Sequence, residues 1–271
     1  MNITLEILRQ NETSGNKPEY RKYEVEVEET DRVLDALMYI TRNIDGSLGF
    51  RRSCAHGVCG SDAMRINGRE RLACKTLFRD IVGEPRWTRE PGEKATQVEE
   101  KKSDGEPTIR IEPLMHLPVQ RDLMVDQETF FEKFRSVKPY IIPKEEPAER
   151  EHIQSQEERA LFDDATKCIN CAACYSACPI LDESPDFLGP AAIVQAARFV
   201  RDSRDKGLEA RIDELDNPNG VWPCENHFEC TRVCPREIKI TKLINLTKRE
   251  IKKFREERGE TVRDGQSDRG E

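Results

Sequence analysis

No run of eighteen apolar residues occurs in this 271-residue sequence, so no segment of it spells a membrane-crossing helix. Basic residues form no stripe. The 44 Lys and Arg are interspersed with 52 Asp and Glu for a net charge of -8, so no surface is built to neutralise a row of phosphates and nucleic acid is excluded as a partner. There is no G-x-G-x-x-G fingerprint and no acid–base constellation, which leaves the chain without catalytic residues of its own. Met1 to Arg9 lack the basic region, apolar stretch and cleavage site of a secretory signal, so the cytoplasm is the expected compartment. Any membrane contact is then expected through a partner.

What is abundant is cysteine. Ten cysteines are many for a reducing compartment, where structural disulfides are rare and clustered thiols hold metal. Hydrophobic residues at 36% and charged residues at 35% suit two modest domains with separate cores.

The first domain, residues 1–125, reads as α+β. Ile3 to Leu8 and the alternation of Tyr23, Val25 and Val27 with Glu24, Glu26 and Glu28 predict a β-hairpin around a polar turn from Asn11 to Pro18. Asp31 is the expected N-cap of an amphipathic helix carrying Val33, Leu34, Leu37 and Met38. Gly83 to Pro107 is crowded with Glu, Lys, Arg, Gly and Pro and reads as a solvated insertion without a core. Ile109, Ile111, Leu114 and Leu117 restore apolar content and complete the sheet. A short helix over Gln127 to Val137 leads into the proline-containing boundary Lys138 to Pro147. The second domain, residues 126–255, is mainly helical, with helices near Glu157 to Thr166, Pro190 to Ser203 and Glu237 to Phe254; Gly189-Pro190 opens the second of them. Residues 256–271 form a charged tail.

Three cysteine groups carry the chemistry. Cys54, Cys59 and distant Cys74 match the plant-type [2Fe–2S] spacing, with Asp62 where a third loop cysteine belongs. Asp62 either binds iron as a hard anionic oxygen or merely caps the loop. Cys168, Cys171, Cys174 and Cys178, followed by Pro179, form the bacterial dicluster run, in which the fourth thiolate serves a different cluster. Cys224, Cys230 and Cys234-Pro235 repeat that run with His227 at the second position. Exchange of final cysteines assigns Cys168, Cys171, Cys174 and Cys234 to a [4Fe–4S] cluster. It leaves Cys178, Cys224 and Cys230 for a [3Fe–4S] cluster, unless His227 completes a cubane, as imidazole does for iron in Rieske centres. Zinc ribbons use two separated pairs, not interlocked runs ending in Cys-Pro. His56, His116 and His152 are isolated and receive no role, and Trp222 reads as a shield for the third cysteine group.

From about Ile3 to Lys253 the chain resembles the iron–sulfur subunit of succinate dehydrogenase and fumarate reductase. The order of the cluster motifs carries the resemblance, together with Arg51-Arg52-Ser53-Cys54, Leu117 to Leu123, Gly189 to Ala192 and Asp202-Ser203-Arg204-Asp205. It implies a plant-type ferredoxin-like (β-grasp) domain followed by an all-α bacterial dicluster ferredoxin-like domain, and it favours Asp62 as a [2Fe–2S] ligand. It also implies electron transfer between the FAD of a flavoprotein partner and a quinone bound by a membrane anchor, often with haem. The chain would then lie peripherally at the cytoplasmic face of the membrane. The sequence departs from the family at Asp182 and Glu183, where ubiquinone-reducing members have an aromatic pair, at His227, which is usually apolar, and in the Gly83 to Pro107 insertion. Asn219 to Trp222 is similar to fumarate reductases, and Lys248 falls at their quinone-side lysine, which points to menaquinone. A soluble thiol-dependent fumarate reductase or heterodisulfide-type subunit is the alternative; such relatives append a further cysteine-rich domain, and no cysteine follows Cys234. A free-standing ferredoxin would gain nothing from three clusters in series.

Overall fold

Ile3, Leu5 and Ile7 alternate with polar residues along strand β1 (Asn2–Arg9), and in the computed structural model all three are fully buried on one face. The structure describes residues 1–11, 15, 17–98, 106–143 and 151–260. Most of the turn between the first two strands, part of the insertion, the end of the domain boundary and residues 261–271 of the tail lie outside the described residues. The chain divides into two compact units, one of Met1–Gln127 with Ile169–Ala177, the other of Glu128–Cys168 with Cys178–Glu271. Residues 169–177, inside the second cysteine group, thus belong with the first unit. A linear division at residue 125 does not anticipate this, because helical spacing and loop composition say nothing about which body a cysteine loop packs on.

In the first unit β1 pairs antiparallel with β2 (Glu19–Glu26), and helix α1 (Val33–Asn43) buries Val33, Leu34, Ala36, Leu37 and Ile40. Its N-cap is Arg32, whose backbone N–H donates to the Asp35 carboxylate at 3.1 Å. Asp31 is not the cap, because its carboxylate already accepts the Glu28 N–H. Strands β3 (Ala63–Ile66) and β4 (Arg69–Leu72) precede the short helix α2 (Phe78–Ile81). The insertion then forms a hairpin of its own, β5 (Arg86–Thr88) against β6 (Thr96–Val98), where composition predicts a structureless loop. The hairpin is tied back by the Trp87 N–H donating to the Asn67 carbonyl, and a Cβ at Gly68 would collide with the Trp87 carbonyl. Strand β7 (Thr108–Glu112) runs parallel to β1, completing a five-stranded sheet of order β2-β1-β7-β3-β4. Strands β8 (Val119–Arg121) and β9 (Met124–Val125) make a small ribbon whose turn holds Asp122 at φ +50°.

The second unit is helical. It contains α3 (Glu128–Ser136), α4 (Gln156–Ala160) and α5 (Asp163–Thr166), the last two standing where one helix is expected. Ser155 starts α4 by forming a capping box with Glu158. The first unit's α6 (Ala173–Ser176) follows in sequence, then α7 (Ile180–Glu183), α8 (Pro190–Val200), α9 (Leu208–Leu215), α10 (Glu229–Arg232) and α11 (Ile240–Glu257). Helices α8 and α11 build the core of this unit, with Ile193, Val194, Leu243, Ile244 and Ile251 buried. Each such side chain contributes roughly 1.5–3 kcal/mol by leaving water. The motif Asp202 to Asp205 is a clamp. Asp202 accepts from Arg198, Arg204 and Gln154, while Asp205 holds fully buried Arg211 at 2.8 Å. Arg211 in turn donates to the carbonyls of Val137, Lys138 and Tyr140 and so pins the start of the boundary segment.

Candidate metal centres

The loop from Cys54 to Asp62 turns through three left-handed residues, Ala55, Gly57 and Gly60. A turn of this kind points successive N–H groups inward, and those of His56, Val58 and Cys59 approach the Cys54 Sγ at 3.5, 3.4 and 3.3 Å. These donors lower the Cys54 thiol to about 6, which favours the thiolate. Cys74, which follows β4, is fully buried, and burial together with the Asp62 carboxylate pushes its thiol up to about 12. Asp62 is itself 2% exposed. Its Oδ2 accepts the Cys74 N–H at 2.6 Å, while Oδ1 is buried without a hydrogen-bond partner among the described residues. An orphaned anionic oxygen beside clustered thiols is costly unless a cation sits there. The donor set of Cys54, Cys59, Cys74 and Asp62 therefore fits a [2Fe–2S] core.

Sequence reading missed the anchor of this loop. Buried Asp122 accepts N–H groups from Gln10 at 2.9 Å and Gly49 at 2.8 Å and pairs with Arg9 Nε at 3.1 Å, fixing the chain just before Arg51 to Cys54. Arg9 continues the inward alternation of β1 as a charged residue and also pairs with Asp45 at 2.6 Å. The only available signal was Asp122 within Leu117 to Leu123, a stretch whose composition does not reveal burial.

In the second unit Cys178 and Cys230 are buried and Cys224 is half-buried. Burial, then the neighbouring Cys230 and Cys224 thiols, pushes Cys178 up to about 12; burial raises Cys230 to about 11 against hydrogen bonding from Thr241. Buried Cys178 and Cys230, whose ionisation is disfavoured, together with Cys224 fit a cationic iron core, which would neutralise their thiolates. His227 borders this site, with Nδ1 buried and without a hydrogen-bond partner among the described residues and Nε2 3.6 Å from Glu225. Lys248 donates to the Cys224 carbonyl at 2.9 Å, and burial lowers its ammonium. Trp222 is fixed by its indole N–H to Asp216 at 2.8 Å, with the Lys248 and Lys252 ammonium groups each 5.8 Å from its ring. Of the expected cubane ligands, Cys171 and Cys174 are buried and Cys168 and Cys234 are half-buried. Among the described residues no three Cys, His, Asp or Glu converge on one ion-sized point; thiolates that hold separate irons of a cluster stand around a larger core.

The family described as 2Fe-2S iron-sulfur cluster binding domain matches residues 4–132, and the 4Fe-4S dicluster domain matches residues 164–238. The fumarate reductase iron-sulfur subunit of Mycobacterium tuberculosis is 38% identical over 87% of this chain and 87% of its own length. The chain belongs to the iron–sulfur subunits of succinate dehydrogenase and fumarate reductase. Similar members include the fumarate reductase subunit of Escherichia coli, at 37% identity over 88% of each chain, and the succinate dehydrogenase subunit of Coxiella burnetii, at 35% over 92% and 97%. Among solved structures, a chain of the "Mycobacterium smegmatis Sdh1 complex in the apo form" superposes with a TM-score of 0.76 at 26% identity, covering 94% of this chain and 97% of its own. This family member is an electron carrier within an oxidoreductase complex. Among the described residues no helix is long and apolar enough to cross a membrane.

Proposed function

We propose that this subunit joins a covalent-FAD flavoprotein that handles succinate or fumarate to a quinone-binding membrane anchor, at the cytoplasmic face of the membrane. When bound, the [2Fe–2S], [4Fe–4S] and [3Fe–4S] clusters supply one-electron carriers in series. The observation that carries the reading is the pairing of two differently built thiolate sites with a match to both cluster families in order along most of the chain. In the first site the chain's contribution is to hold Cys54 ionised through backbone N–H groups and to present the unpartnered Asp62 oxygen. Cys168, Cys171, Cys174 and Cys234 would hold the cubane. In the last site Cys178, Cys224 and Cys230 would take three irons, and a dry setting keeps water from the core. Lys248 and His227 would face the quinone oxygen, with the buried ammonium as donor. This placement favours menaquinone, and Trp222 shields the site.

Reconstituted chain should carry all clusters yet oxidise succinate only after the flavoprotein is added. Succinate turnover by the loaded chain alone would overturn the proposal. Co-purification of the native complex identifies the anchor, its haem and its quinone.

A second reading rests on the unpartnered His227 Nδ1: the imidazole completes a cubane. We favour three irons, because an imidazole there can equally hydrogen-bond a sulfide or the quinone. Oxidised protein should then show a resonance at roughly g = 2, the signature of a three-iron cluster, where an oxidised cubane is silent.

A further inference from the structure

Glu70 sits on β4 and is 7% exposed, an unusual place for a carboxylate in a strand whose other buried residue is Leu72. Its ion pair with Arg65 is a long one. Arg65 Nε lies 3.9 Å away, and that guanidinium also approaches Glu112 on β7 at 3.4 Å. Glu70 accepts a buried hydrogen bond from the Ser176 hydroxyl at 2.8 Å. Ser176 is fully buried and in turn accepts the Met115 N–H at 2.8 Å. The chain of donors therefore runs in one direction, from Met115 N–H through Ser176 to Glu70, and its far end must be an acceptor.

Ser176 closes α6, the single turn that also contains Cys174 and begins just after Cys171. The opposite side of this loop is held as well. A Cβ on Gly60, in the first cluster loop, would lie 2.6 Å from the Cys171 Cβ, so the two loops meet backbone to side chain. The turn starts from a left-handed Ala172, and the buried Ser176–Glu70 bond is a directional tie from the turn to the sheet.

We propose that Glu70 is a positioning residue for the middle cluster, acting through Ser176 to hold the Cys171–Cys174 turn against the sheet. The inference rests on Cys171 and Cys174 being cubane ligands. Burial raises the Glu70 carboxyl, and Glu70 needs only to accept, a role that Gln fills too.

The test uses Glu70→Ala, Glu70→Gln and Ser176→Ala in the full chain within its native complex. Two readouts are taken: the electron paramagnetic resonance spectrum of the reduced cubane, and the rate of iron loss to a chelator, with the [2Fe–2S] signal as internal control. Glu70→Ala and Ser176→Ala should each speed loss of the cubane roughly tenfold and change its spectrum, as expected for losing one buried hydrogen bond to a carboxylate. Glu70→Gln should remain near wild type, and the [2Fe–2S] signal should persist throughout. If Glu70→Ala fails to assemble, Ser176→Ala, a smaller deletion, decides alone. Variants indistinguishable from wild type, or Glu70→Gln as damaging as Glu70→Ala, would overturn the proposal. A wild-type chain without any cubane signal would instead defeat the cluster assignment beneath it.

Discussion

The second and third cysteine groups trace the same local backbone with a different potential ligand at its centre. Asn170 and Ala172 flank Cys171 in the left-handed region, at φ +51° and +62°, and Asn226 and Phe228 flank His227 in the same way, at +61° and +67°. Each turn then runs into a four-residue helix carrying the next cysteine, α6 with Cys174 and α10 with Cys230. If the two sites hold different numbers of irons, as proposed, the shared backbone does not set that number; the central donor would, and His227 occupies the place that Cys171 holds in the other loop.

The largest effect that sharpens this comparison is expected from Cys171→Ala. Losing a thiolate from a four-ligand site should abolish the cubane or strip it to three irons, whereas His227→Ala should leave iron content unchanged if imidazole is not a ligand. Iron and sulfide analysis of both variants decides between them. His227→Cys should then convert the third site towards the second, with loss of the oxidised resonance at roughly g = 2 and one further iron per chain. Retention of that resonance in His227→Cys would mean that the shared backbone does not bring residue 227 to the cluster.

Asp62 offers a smaller effect in the first unit. Asp62→Cys should keep the [2Fe–2S] cluster and shift its potential, because thiolate and carboxylate donate charge differently. Asp62→Ala should broaden or lose the cluster spectrum. An Asp62→Ala protein with unchanged spectrum and potential would reduce Asp62 to its observed bond with the Cys74 N–H.

Spacing made the cysteine groups legible, since metal-ligand geometry imposes it locally, and β1 was legible because each second residue is Ile or Leu until Arg9. The Gly189-Pro190 start of α8 was equally plain, for proline fits the first helical turn. What composition hid was tertiary. The β5-β6 hairpin forms in a charged stretch because Asn67 and Gly68 receive Trp87, and the Arg69 guanidinium lies 4.4 Å from the Trp87 ring centroid. Nothing local in the sequence marks Glu70, Arg9 and Asp122 as buried, because their burial depends on partners distant in sequence. The joining of residues 169–177 to the first unit was invisible for the same reason.

The smallest expected effect concerns the strain common to both loops. A non-glycine residue in the left-handed region costs about 1–2 kcal/mol, and Ala172 bears that cost while 1% exposed. Ala172→Gly removes the clash of its Cβ with the backbone but gives the unfolded chain more freedom, an offset of about 0.4–1 kcal/mol. The net is a gain of roughly 0.5 kcal/mol, a shift of about one or two degrees in the unfolding midpoint for a protein of this size. Phe228→Gly should behave alike, because Phe228 is 49% exposed and surrenders little burial. Calorimetry on the two variants, loaded with clusters, compares the loops directly. A loss of midpoint in Ala172→Gly alone would show that its methyl packs more tightly than the turn is strained, and the likeness of the two loops would then end at the backbone.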